Sequence, residues 1–137
     1  MNRCDLAVPD LDFQKVLVVA KSAINRIVIA KIVERAGLTP VVMTPEAAGA
    51  TLPCETPGTI VLDGGADNRD CDNLIPAVTA AREAAGGRLP AVIMLCNRIG
   101  TPAGLGLPAI VNVVVAKPIT PEKLQPVIER LLSMARS

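Results

Sequence analysis

The chain has 137 residues, the size of one domain, and is long enough to build a core without metal or disulfide staples. Half of it is apolar, but Phe13 is its one aromatic residue, so the core is aliphatic and nucleic-acid binding by aromatic stacking finds no support. Fourteen basic residues against thirteen acidic leave a formal charge of +1, with no basic block of the length that a phosphate backbone demands.

In chain order, residues 1–14 stand as a leader ahead of the first apolar run, Lys15 to Val19, which reads as a buried strand entering a loop at Ala20-Lys21-Ser22. Ser22 suits the N-cap of a helix over Ala23 to Ala36, stopped at Gly37. Ile24, Val28 and Ile32 recur at four-residue spacing, with Ile27 widening the stripe expected to face the core. A second strand, Pro40 to Met43, is followed by room for only a short helix between Pro45 and Pro57. The third strand, Thr59 to Leu62, runs straight into Asp63.

A middle helix begins near Leu74 or Pro76 and reaches Ala85, ending at Gly86-Gly87, and the fourth strand is Ala91 to Leu95. Gly100 to Pro108 is poor in helix formers, so the fourth crossover is expected to be distorted or mobile. The fifth run, Ile110 to Val115, leads to Lys117. The last helix has Thr120 as N-cap and Pro121 at its first position, where a missing donor costs nothing. Its buried face is Leu124, Val127, Ile128, Leu131 and Leu132, and Pro126 lies early enough to be tolerated with a bend. Residues 15–134 form the folded domain and 135–137 a tail.

Nearly continuous apolar strands alternating with helices read as a three-layer α/β domain on a parallel sheet. Such a sheet gathers functional groups beyond the C-terminal ends of its strands. Alternation alone therefore brings Ala20, Lys21, Asp63, Cys96, Asn97 and Lys117 toward one cleft. An aspartate just past an apolar strand suits nucleophilic attack on a phosphoryl group, provided that cations offset the accumulated negative charge. Lys117 supplies one such charge, and a magnesium ion on hard oxygen ligands would supply the other.

Cys4, Cys54, Cys71 and Cys96 lack the spacing of a thiolate metal site, and the chain has no histidine. Reduced cysteines in a cytoplasmic domain are the expectation, with Cys96 as a buried thiol and Cys71 in or near a loop. Apolar stretches are too short to span a bilayer, and no signal peptide is evident. No glycine-rich phosphate cradle follows the first strand, which weighs against a nucleotide-dependent enzyme and against an organic cofactor.

From Lys15 to Leu132 the sequence resembles the response-regulator receiver domains of two-component signalling, and is closest to receivers carried by hybrid sensor kinases. Ala20-Lys21-Ser22-Ala23-Ile24-Asn25-Arg26 stands where those receivers have an acidic pair, then Ser, then Asn-Arg. Asp63 in Ile60-Val61-Leu62-Asp63 matches the phosphoacceptor, Cys96 the switch Thr or Ser, and Lys117 before Pro118 the family's lysine. The resemblance implies a flavodoxin-like, doubly wound five-stranded parallel sheet of order 2-1-3-4-5, here with a degenerate fourth helix. It also implies sensor histidine kinases or phosphotransfer proteins as partners.

The departures set the functional expectation. The magnesium-holding acidic pair is replaced by Ala20 and Lys21, the Met-Pro after the acceptor loop by Ala66-Asp67, the switch hydroxyl by the Cys96 thiol, and the switch aromatic by Val114. Magnesium binding is expected to be weak or absent, with Asp63 and Asp67 as its remaining ligands. Two placements of Lys21 stay open: an ammonium on the Asp63 carboxylate, or a side chain directed into solvent. Asp67, Asp70 and Asp72 read either as a substitute acidic cluster or as a solvated turn. The functional expectation is a phosphorylation-impaired or phosphorylation-independent interaction module, with at most residual phosphoryl acceptance on Asp63. The alternative is a small doubly wound enzyme or ligand-binding protein.

Overall fold

A computed structural model describes residues 12–52, 57–65, 69–84 and 90–136. Five parallel strands form one sheet in the order β2-β1-β3-β4-β5: β1 (Asp12–Val19), β2 (Thr39–Met43), β3 (Pro57–Asp63), β4 (Ala91–Cys96) and β5 (Val113–Ala116). Helices α1 (Ala23–Arg35), α2 (Pro45–Thr51), α3 (Ile75–Ala84) and α4 (Pro121–Arg136) cover its two faces. This is the doubly wound order that the resemblance implies.

The central strands explain their own burial. Every residue of β3 and β4 is buried, as strands roofed on both faces must be. Successive side chains then feed two separate cores. Leu17, Val19, Ile60, Leu62, Val92 and Met94 pack toward α2 and α3, whereas Val16, Val18, Val61, Ile93 and Leu95 pack toward α1 and α4. Each fully buried aliphatic side chain contributes about 2 kcal/mol. Leu124 and Ile128 are wholly buried on α4, with Val127 and Leu131 half-buried beside them, as their spacing predicts.

Two local expectations change. Strand β1 starts at Asp12, inside the expected leader, because Asp12 pairs with Pro57 across a register irregularity. A side chain at Gly58 would collide with Phe13, so glycine lets the two strands approach there. Helix α1 buries Ile29, Ile32 and Val33 and leaves Ile24 72% and Ile27 57% exposed. The apolar residues of α1 offer two overlapping faces, and the face that packs is the one aligned with Asn25 at four- and seven-residue spacing.

No helix forms between β4 and β5. Residues 97–112 fold as a chain of turns, with Leu105 N–H donating to the Thr101 carbonyl, Leu107 N–H to Pro102 and Gly106 N–H to Ala103. Arg82 on α3 fastens this segment. Its guanidinium donates to the carbonyls of Pro90 and Ile110 at 2.9 and 2.7 Å and to Asn112 Oδ1 at 2.8 Å. Asn112 Oδ1 also accepts from the Val92 N–H, so one asparagine joins the crossover to β4. No helix among the described residues is long and apolar enough to cross a membrane.

Candidate functional site at the strand ends

Parallel register carries the ends of β3, β4 and β5 to one edge. Asp63 lies opposite Leu95, and Cys96 opposite Ala116, the residue before Lys117. Asp63 is 2% exposed, yet it is well supplied with donors. Lys117 Nζ lies 2.6 Å from Oδ1, the Gly65 N–H donates to Oδ1 at 3.0 Å, and Asn25 Nδ2 donates to Oδ2 at 2.6 Å. Burial pushes the Asp63 pKa upward, but the Lys117, Gly65 and Asn25 hydrogen bonds outweigh it. The carboxylate is held below its ordinary range, and so stays ionised.

Asn25 reaches this position through its cap. Ser22 Oγ accepts the Asn25 N–H at 3.2 Å, closing the first turn of α1 and leaving the asparagine amide free to face the sheet. By sequence, Asn25 stands only as part of the Asn-Arg match at the start of the helix; its four-residue spacing from the buried Ile29 is the signal that places it on the sheet side.

Of the two ammonium groups, Lys117 meets Asp63 and Lys21 does not. Lys21 is 58% exposed, and its Nζ lies 3.9 Å from Asp70 Oδ1 on the outer side of the loop. Arg26 Nη1 donates to the carbonyls of Ala20 and Lys21 at 2.7 and 2.9 Å, tying down the turn that follows β1. Asp72 begins a short 3₁₀ turn, Asp72–Leu74, and is exposed; Asp67 lies outside the described residues. Among the described residues, no group of three or more His, Cys, Asp or Glu side chains is placed to hold a metal ion.

A second amide closes the loop beyond Asp63. Asn97 Nδ2 donates to the Gly65 carbonyl at 3.1 Å, and the Gly64 N–H donates to the Leu95 carbonyl. Gly65 has φ +75°, and a Cβ there would land on the Asp70 carboxylate. The ends of β3 and β4 are thereby joined by neutral donors, while the Lys117 N–H donates to the Cys96 carbonyl at 2.8 Å.

Both described cysteines are buried free thiols. Cys96 sits at the end of β4 as expected, and burial raises its pKa. Cys71 is the unforeseen one. Although it lies in a turn, it is 2% exposed and its Sγ donates to the Asp63 carbonyl at 3.3 Å. Burial, and then the negative charges of Asp63, Asp70 and Asp72, push its pKa up to about 12. Val114, at the switch-aromatic position, is half-buried in β5.

Solved structures match this arrangement over most of the chain. The chemotaxis response regulator CheY4 of Vibrio cholerae superposes with a TM-score of 0.68 at 21% identity, over 85% of this chain and 97% of that one. The receiver domain of a sensor histidine kinase from Pseudomonas aeruginosa, determined with magnesium coordinated in its active-site cleft, gives 0.68 at 21% identity, over 89% and 99%. This chain has the receiver fold. A pilus-assembly-related protein of Burkholderia pseudomallei shares it at 0.63 and 18% identity, over 90% and 95%. No family model and no curated protein matches the sequence. Within the receiver fold, Asp63 and Lys117 occupy the ends of β3 and β5, whereas the end of β1 carries Ala20 and Lys21.

Proposed function

We propose that this receiver-fold chain works in two-component signalling as a protein-docking module whose conformation does not depend on phosphorylation. The observation that carries the reading is the state of Asp63, a buried carboxylate whose two oxygens already receive Lys117, the Gly65 N–H and Asn25. A carboxylate so engaged is stabilised without an added ligand, and a nucleophile must first shed donors before it attacks.

The donor set also does not suit magnesium. That ion needs several hard oxygens in near-octahedral array. Here the β1 end offers Ala20 and an exposed ammonium, the Asp63 oxygens face protonic donors, and the Gly65 carbonyl accepts Asn97. The partner in this reading is a sensor histidine kinase or a phosphotransfer protein. Ile24 and Ile27, exposed on α1 beside this edge, supply apolar contact area for it.

The test is incubation with acetyl phosphate and magnesium, and separately with a phosphorylated histidine kinase, read by intact mass against an Asp63→Asn control. The expected result is no adduct from either donor while a working receiver is labelled in parallel. An adduct that disappears in Asp63→Asn would return the protein to the phosphoaccepting class.

A further inference from the structure

Gly65 is held from both sides. Its N–H donates to Asp63 Oδ1 at 3.0 Å, and its carbonyl accepts Asn97 Nδ2 at 3.1 Å. Asp63 takes Asn25 Nδ2 on its other oxygen at 2.6 Å. These four residues form one unbroken line of contacts, from the first turn of α1, past the end of β3, to the first residue of the helix-free crossover.

The crossover depends on such ties because it has no helix of its own. Asn97 holds its start, while Arg82 and the Val92 N–H hold Ile110 and Asn112 where it rejoins the sheet. Between these anchors the turns close on themselves, and Leu107 packs against the core that buries Cys96, Ile110 and Val111. A segment with few anchors opens locally at a cost that those anchors set, well below that of unfolding the sheet.

We propose that the Asn25–Asp63–Gly65–Asn97 line couples α1 to the crossover, so that whatever steadies the first turn of α1 also holds residues 97–112 closed over Cys96. The coupling is a property of the chain alone and does not rest on the docking reading.

Geometry gives the coupling its sign. With Asn25 on Oδ2, the carboxylate is kept from turning, and Oδ1 stays presented to the Gly65 N–H. Gly65 has φ +75° and no side chain to hold that state, so fixing its N–H helps to fix where its carbonyl points. Asn97 therefore meets a placed acceptor while Asp63 is placed. Lys117 shares Oδ1 and remains when Asn25 is lost, which makes the coupling graded. By linkage, a partner that steadies Asn25 must lower crossover opening, and must bind the closed form more tightly by the same factor. The crossover carries Ile99, 90% exposed, so its opening changes the surface offered at this edge.

The experiment is site-resolved alkylation of Cys96 by iodoacetamide in the full chain at fixed pH, with amide exchange followed at Leu107 and Val111. Cys96 is wholly buried, and opening of the crossover uncovers it. Asn97→Ala should speed its alkylation about 5-fold, the population shift of one neutral hydrogen bond. Asn25→Ala should speed it about 2- to 5-fold in the native background and leave it unchanged in the Asn97→Ala background. In the reverse direction, Asn97→Ala should shift the Asn25 side-chain amide resonances, a reading that needs no substitution on α1. Equal acceleration by Asn25→Ala in both backgrounds would mean general loosening of the fold, and overturns the coupling. An unchanged Cys96 rate in Asn25→Ala overturns it too, as does an Asn25 amide that ignores Asn97→Ala.

Discussion

Asn25 Nδ2 and Asp63 Oδ2 lie 2.6 Å apart across 38 residues of sequence, joining the first turn of α1 to the end of β3. The contact fixes the rotation of α1. With Asn25 on the sheet side, Ile29 and Ile32 follow it inward and Ile24 and Ile27 turn outward.

Removing that amide should loosen the site in a measurable way. Asn25→Ala is expected to cost about 2 kcal/mol in a urea melt, the value of a hydrogen bond to a charged group. Asn25→Asp should cost more at neutral pH, since it sets a second carboxylate against Asp63. Part of that loss should return on acidification, when one of the two carboxyls takes up a proton. Equal stability of Asn25→Asp and the native protein at neutral pH would show that the contact carries no energy.

The Asp63–Lys117 pair predicts an acid limb in stability. The folded carboxyl has its pKa lowered from 3.8, so the unfolded chain binds the proton more readily. Its stabilisation is complete well above 3.8 and drains away as pH falls through that value toward the lower folded one. Denaturant midpoints measured across this window should fall with pH. Lys117→Met leaves a buried charge short of its cation and should destabilise by about 3 kcal/mol at neutral pH, with a weakened acid limb. An acid limb of undiminished height in Lys117→Met would assign the titration to other carboxyls.

Divalent cations offer an independent check on the strand-end chemistry. Manganese should leave the amides around Asp63 without saturable paramagnetic broadening in the native protein. Lys21→Asp exchanges an exposed ammonium for a carboxylate at the end of β1, and should gain such broadening. Saturable broadening of the native site at similar concentrations would mean that Asn25 and Lys117 yield readily to a metal.

Arg82 predicts how the helix-free crossover is held. Arg82→Met keeps much of the side-chain stem but takes the arginine donor from the Pro90 and Ile110 carbonyls and leaves Asn112 Oδ1 with the Val92 N–H. A loss of about 2–3 kcal/mol is expected, together with faster amide exchange at 101–112. Unchanged exchange there would show that the turns hold themselves.

The sequence by itself determined the layout, because period and composition act locally. Continuous Val, Ile and Leu runs make strands that must be covered on both sides, and the spacing of Leu124, Ile128 and Leu132 can bury only one face of α4. Glycine and proline between Gly100 and Pro108 were enough to deny that crossover a helix. Parallel strand ends then brought Asp63, Cys96 and Lys117 to one edge without any long-range information. Only the tertiary structure decided which groups touch. Two apolar faces were open to α1, and two lysines stood near one aspartate; packing chose Ile29 over Ile24 and Lys117 over Lys21. Cys71 lay beyond local reading for the same reason. A turn residue is buried when distant segments close over it, and no period in the chain records that closure.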